Sequence, residues 1–222
     1  MRFGVGNMRR GLGGAVLVVG LVAGCGSGGA GTSAPATQTS PTADKSESAG
    51  KGGVARGGTV GGAGSACELP VSFDVAERWK PDAVDSAATA DAELAALLRQ
   101  GYVTMVCELD AKPAGHLGFL RVWTGEPGNA DARQVLEAFL KAEGDGVGET
   151  RFRTFRTGDL SGVEVEYRQT VEALDETKTE RALAVVAPDG PVVLHLGGLD
   201  DEEHKDMLPA YELAKRTLRV TS

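Results

Sequence analysis

From Cys67 onward the apolar positions recur with two periods, one of two residues and one of three to four. Cys67, Leu69, Val71, Phe73 and Val75 fall on one side of an alternating run, so residues 68–75 are predicted as a strand that Glu77–Pro81 ends. Tyr102–Leu109 repeats the pattern, with Val103, Met105, Cys107 and Leu109 sharing a face. A third strand over His116–Thr124 puts Leu117, Phe119 and Trp123 together. Thr150–Thr157 carries Phe152 and Phe155, and Ser161–Ala173 sets Val163, Val165, Tyr167 and Val171 against Glu164, Glu166, Arg168 and Glu172. Lys178–Ala187 and Val192–Gly197 flank Asp189-Gly190, a two-residue hairpin signal.

The longer period marks three helices. Thr89 or Asp91 caps the first, with Leu94, Leu97 and Leu98 on one face and Gly101 beyond its end. Asn129 or Asp131 caps the second, which runs to Ala142 with Ala132, Val135, Leu136, Phe139 and Leu140 as its buried stripe and Gly144 as its stop. The third aligns Met207, Tyr211, Ala214 and Leu218. Asp200–Glu203 precedes it, where negative charge suits a helix start, and Lys215, Arg216 and Arg219 close it. Pro209 is expected in its first turn, where the missing N–H costs nothing. Helices interspersed with alternating strands and hairpins predict an α+β fold: a single mostly antiparallel sheet with packed helices.

The first 66 residues obey neither period. Arg2, Arg9 and Arg10 lead an uncharged run from Gly11 to Gly24. Fourteen helical residues rise only about 21 Å, short of the ~30 Å hydrocarbon core of a bilayer. A basic start, an apolar run and small residues at its end describe a signal peptide over residues 1–24, beginning at Met1 or at Met8. Val22-Ala23-Gly24-Cys25 resembles a bacterial lipobox. That resemblance implies cleavage between Gly24 and Cys25, a diacylglycerol on the Cys25 thiol and acylation of the new amine. Such a lipid holds a protein on a membrane almost permanently. Gly26–Ala66 is dominated by Gly, Ala, Ser and Thr and contains no aromatic residue, Leu or Ile, so residues 25–66 are expected to form a lipidated tether without a core. Its Pro35–Thr42 segment has the Ser/Thr/Pro composition of glycosylated stalks as well as of plain spacers.

Residues 67–222 are then one folded domain, long enough for a real core. They hold 29 Asp and Glu against 17 Lys and Arg, a net charge of −12. That charge argues against nucleic acid and against direct contact with anionic headgroups. With Cys25 assigned to lipid, Cys67 and Cys107 remain as a pair in an exported chain. Both point to apolar faces by parity, so they are expected to form a disulfide. Closing that loop is worth about 4 kcal/mol on the chain-entropy estimate.

Catalytic signatures are missing. His116, His195 and His204 form no His-Glu-x-x-His motif, and there is no Gly-x-Ser-x-Gly elbow or Gly-rich phosphate loop. His195 in an apolar run reads as a half-buried sheet residue. Asp200–Glu203 with His204 has the chemistry of a hard-cation site but not the spacing of a calcium loop, and a helix start accounts for it better. Arg151, Arg153, Arg156 and Arg168 are a candidate dock for a phosphate or carboxylate, or a charged sheet edge that resists aggregation. Glu164 and Glu166 have the look of a glycosidase pair, a spacing common in any exposed sheet. No catalytic residue, metal site or cofactor is assigned.

Val71-Ser-Phe-Asp-Val-Ala-Glu-Arg-Trp79, the Asp189–Gly197 run and the Tyr211–Val220 ending resemble the PsbP-like α/β/α sandwich of actinobacterial lipoproteins of the LpqN type. Ala76 stands where that family usually has a proline. The resemblance implies a non-catalytic module that binds an amphipathic envelope molecule or a protein partner, tethered by lipid to the outer face of the cytoplasmic membrane. The alternative is a cell-envelope hydrolase whose active site follows no motif.

Overall fold

The alternating runs become strands whose pairing builds one broad sheet. The computed structural model describes residues 53–85, 95–96 and 98–221. Its first strands are β1 (Arg56–Val60), β2 (Val71–Ala76), β3 (Lys80–Ala83), β4 (Arg99–Gln100), β5 (Val103–Asp110) and β6 (Gly118–Thr124). Helix α1 (Ala132–Glu143) precedes β7 (Val147–Thr157), β8 (Leu160–Val171), β9 (Glu176–Ala187) and β10 (Gly190–Gly198). Helix α2 (Asp201–Thr217) and β11 (Arg219–Val220) follow. Eight strands form one sheet in the order β3-β5-β6-β10-β9-β8-β7, with β4 also on β5, and β1-β2-β11 form a small second sheet. These strands all pair antiparallel.

The sheet is buried on both faces, which makes three layers and an α+β architecture. Val165, Tyr167, Ala182, Ala184 and Val193 face Val135, Leu136 and Phe139 of α1. On the other face Leu120, Leu183, Leu194 and Leu196 meet Met207, Tyr211 and Ala214 of α2 together with Phe73 of the small sheet. Central strand β10 is buried at every position because it lies between both layers. Asp131 starts α1 with a reciprocal cap: its carboxylate accepts from the Gln134 N–H at 2.8 Å, and its own N–H donates to Gln134 Oε1 at 2.9 Å. The Asp200 carboxylate starts α2 by accepting from the Glu202 and Glu203 N–H groups at 3.0 and 2.9 Å. Cys67 and Cys107 form a disulfide with Cα atoms 5.9 Å apart, tying the segment before β2 to β5.

Some expectations fall on residues that are not described, and others need correction. Residues 1–52 lie outside the described residues, as do Thr89, Asp91, Leu94 and Leu97 of the first expected helix. Arg56–Val60, inside the stretch expected to be tether, is strand β1 and pairs with β2. Glycine-rich composition reads as linker, yet glycine is what this docking needs. A Cβ on Gly61 would lie 2.0 Å from the Val71 carbonyl oxygen, at a φ of +104°. Pro209 sits well inside α2 because the Asp200 cap starts the helix earlier than expected. It is tolerated there because Pro209 and Lys205 both lie on the exposed side, where water reaches the carbonyl that lost its donor. Ala187 pairs with Gly190, so the hairpin loop is Pro188-Asp189, one position earlier than the signal. Leu117 does not share a covered face with Phe119 and Trp123: it is 51% exposed and precedes β6.

Candidate functional site

Lengths decide where the sheet stays open. Twelve helical residues in α1 span about 18 Å, whereas twelve extended residues in β9 span about 40 Å. The helix therefore roofs only part of the face it packs on. Beyond its last turn lies a cleft of about 650 Å³, floored by Gly197, Gly198, Lys178 and Glu180. Its walls include Leu117, Leu174 and Leu199, at 51%, 65% and 56% exposure. Phe119 lines the same cleft, with the Arg121 guanidinium 4.7 Å from its ring centroid. Arg121 is itself paired with Glu108 at 2.7 Å.

At the boundary between roof and cleft sits a buried polar cluster. Strand parity turns Tyr167, Glu180 and His195 to the α1 face, and the register sets Tyr167 opposite Glu180. Glu143, the last residue of α1, comes down on them. His195 Nε2 lies 2.8 Å from Glu180 Oε2 and 3.1 Å from the Tyr167 hydroxyl. That hydroxyl donates to Glu143 Oε2 at 2.7 Å. Lys178 Nζ completes the set, 2.9 Å from Glu180 Oε1 and donating to the Gly198 carbonyl at 2.8 Å. Glu180 and His195 are each only 6% exposed.

Burial and neighbours set the charges. Burial works against a charge on His195, but Glu180 and Glu143 outweigh it and hold the imidazole above its ordinary range. Burial also opposes ionised Glu180, yet His195 and Lys178 drive its carboxyl down to about 2. Glu143 is lifted, chiefly by burial, with His195 pulling against the rise. Burial and the two glutamates raise the Tyr167 hydroxyl well above the ordinary phenol value, which leaves it a neutral donor. The proton arrangement is self-consistent: Nε2–H of His195 donates to Glu180 and Tyr167 donates to Glu143. Glu143, Glu180 and His195 offer ligand atoms within 4.8 Å of one another. Those atoms are already engaged by the His195 proton, Tyr167 and Lys178, so a divalent ion would have to displace them.

The remaining sequence candidates scatter. Glu164 does not lie on an open sheet face: it is buried and Lys215 Nζ of α2 donates to it at 3.0 Å, while Glu166 stays part-exposed and pairs with Arg181. Asp200 caps α2, and Asp201 holds Arg168 at 2.8 Å, so the acidic run is engaged in local structure. His116 Nδ1 lies 3.5 Å from Glu203 Oε2. His204 is in the first turn of α2 on its buried side, and burial with Arg181 nearby pushes its pKa down to about 4. Sequence reasoning picked out His195 but missed Glu143, Tyr167 and Glu180. One signal was available: Glu180 shares parity with Ala182 and Ala184, a charge on a core-facing position.

The fold is similar to the solution structure of cyanobacterial PsbP (CyanoP) from Synechocystis sp. PCC 6803, at 16% identity and a TM-score of 0.46, over 72% of this chain and 96% of that one. It is also similar to the crystal structure of LpqN, involved in cell envelope biogenesis of Mycobacterium tuberculosis, at 17% identity and a TM-score of 0.39, over 74% and 90% of the two chains. No curated protein sequence matches. Among the described residues no helix is long and apolar enough to cross a membrane. A family model described as an uncharacterised lipoprotein matches residues 37–218, and the chain belongs to that lipoprotein family.

Proposed function

We propose that the chain is a lipid-anchored, extracytoplasmic binding module that holds an amphipathic molecule in the cleft beyond α1. Cys25 carries the lipid after cleavage behind Gly24, and the glycine-rich stretch behind it lets the domain reach away from the outer face of the cytoplasmic membrane. One observation carries the binding reading. Six large hydrophobic side chains are exposed among the described residues, and three of them, Leu117, Leu174 and Leu199, ring this one cleft. Exposed apolar groups gathered around a concave surface with a few polar groups at its floor are the signature of a ligand site. The leucines suit an apolar tail, and Lys178 and Glu180 suit a polar head.

The test is native mass spectrometry on the mature chain with Cys25→Ser, secreted and purified without detergent. A non-covalent mass that vanishes on unfolding, and that is lost in Leu174→Glu/Leu199→Glu, supports the reading. A bare mass together with no uptake of anilinonaphthalene sulfonate ends it. Anchoring is checked separately: Cys25→Ser moves the protein from the membrane fraction to the soluble one, and the N-terminal peptide loses its lipid mass.

The second reading, an envelope hydrolase, is favoured by the contact of Glu180 with both the cleft and His195. Against it, His195 Nε2 turns to Glu180 and Tyr167. Turnover of nitrophenyl esters or glycosides that falls in His195→Gln would establish it.

A further inference from the structure

Strand β7 is an outer edge of the broad sheet: it pairs with β8 on one side and with no other strand among the described residues. From Arg151 to Thr157 it runs in unbroken register against β8, after a bulge between Gly148 and Arg151. Arg151, Arg153, Thr154 and Arg156 are exposed along it. The four arginines read together from the sequence divide here. Arg168 is held by Asp201, and Arg151 reaches Glu166 at 3.5 Å. Arg153 and Arg156 have no ion pair among the described residues, in a domain that carries a net charge of −12. Strand alternation points Arg153 to the α2 side and Arg156 to the α1 side.

Beside Arg156 the sheet face is open again, because α1 begins only at Ala132. A groove of about 940 Å³ lies there, lined by Thr154, Arg156, Val163 and Val186 next to the helix start. A strand laid along β7 would bond to its unpaired N–H and C=O groups. Its side chains would alternate between Arg153 on one face and Arg156 with the apolar groove on the other.

From the unpaired edge, the two unpartnered arginines and the groove beside them, we propose that β7 docks an extended acidic segment of a partner protein as an added strand. Charge selects the occupant. A second copy of β7 would bring arginine against arginine, which is unfavourable, whereas glutamates or aspartates set opposite Arg153 and Arg156 form cross-strand pairs. The same arginines thus refuse self-association and accept an acidic strand. The surface is separate from the leucine-ringed cleft, so either reading stands without the other.

The test uses the mature chain with Cys25→Ser and a short fluorescent peptide that alternates glutamate with valine. Fluorescence anisotropy is expected to show binding that weakens with added salt and drops about tenfold or more in Arg153→Glu/Arg156→Glu. N-methylation of alternate peptide amides removes the binding by blocking the ladder. Amide exchange then slows over residues 151–157 and nowhere else. Exchange protection in the core reports that the double variant is folded. The proposal is overturned if the peptide does not bind, if a lysine–valine peptide binds as well, if the double substitution leaves affinity unchanged, or if protection appears away from β7.

Discussion

Replacing Glu180 with Gln keeps the shape of the buried cluster and removes its central charge. Glu180 is the acceptor for His195 at 2.8 Å and for Lys178 at 2.9 Å. Its carboxyl is lowered from the ordinary 4.5 to about 2. At ~1.4 kcal/mol per pKa unit, that lowering corresponds to about 3 kcal/mol of stability, comparable with the cost of breaking a buried pair. The pH dependence follows from the signs. A lowered carboxyl stabilises above its unfolded value of 4.5, and that contribution is lost as pH falls toward 2. A raised imidazole stabilises below its unfolded value of 6.5, and that contribution is lost as pH climbs through the folded value. The difference between wild type and Glu180→Gln is therefore largest between pH 4.5 and 6.5 and shrinks on both sides. Urea unfolding with the disulfide intact measures it. A cycle with His195→Gln should give a coupling of about 2–3 kcal/mol near pH 5.5, within the range for residues in one network. A Glu180→Gln cost below about 0.5 kcal/mol, the level of a neutral surface substitution, or a cost that does not change with pH would refute the ion pair.

Three further outcomes are expected. Gly61→Ala forces a Cβ to 2.0 Å from the Val71 carbonyl at positive φ, and thermal unfolding should show a loss of more than about 2 kcal/mol; an unchanged midpoint would mean that β1 is not part of the fold. Cys67→Ala/Cys107→Ala opens a loop with a sequence separation of 40 and should cost about 4 kcal/mol in urea. Leu174→Glu/Leu199→Glu alters side chains that are already exposed, so stability should stay within about 0.5 kcal/mol while uptake of anilinonaphthalene sulfonate falls.

Much of the architecture is legible one residue at a time. Alternation from Cys67 to Val75 and along β8 follows from the two-residue period of a strand buried on a face, and the β9–β10 hairpin shows instead the continuous apolar runs of strands covered on both faces. The stripe Val135, Leu136, Phe139 and Leu140, with Asp131 before it, determines α1, its buried side and its start. The Cys67–Cys107 pairing follows from compartment, but parity misplaces half of the Cys107 strand. A bulge between Met105 and Cys107 turns Val103 and Met105 to the α1 face and Cys107 and Leu109 to the other, so the four do not share a face as expected. These features are local: period, cap and terminator lie within a few residues of the element they shape.

Other features depend on what packs where. The glycine-rich chain at Arg56–Val60 becomes a strand only because β2 offers an edge for its backbone to pair with, which composition does not record. Glu164 and Glu166 sit on the polar side of an alternating strand, and the approach of α2 buries Glu164 against Lys215 while Glu166 stays part-exposed beside Arg181. Glu143, Tyr167, Glu180 and His195 come from a helix end and three strands and meet only once the register of β8, β9 and β10 is set. The cleft exists because a 12-residue helix lies on 12-residue strands that extend past it. Hydrophobic period and capping chemistry, written along the chain, determined the elements and their buried faces. Long-range pairing and the mismatch in length between helix and strand, which have no local signature, decided which polar residues were buried together and which part of the sheet stayed open.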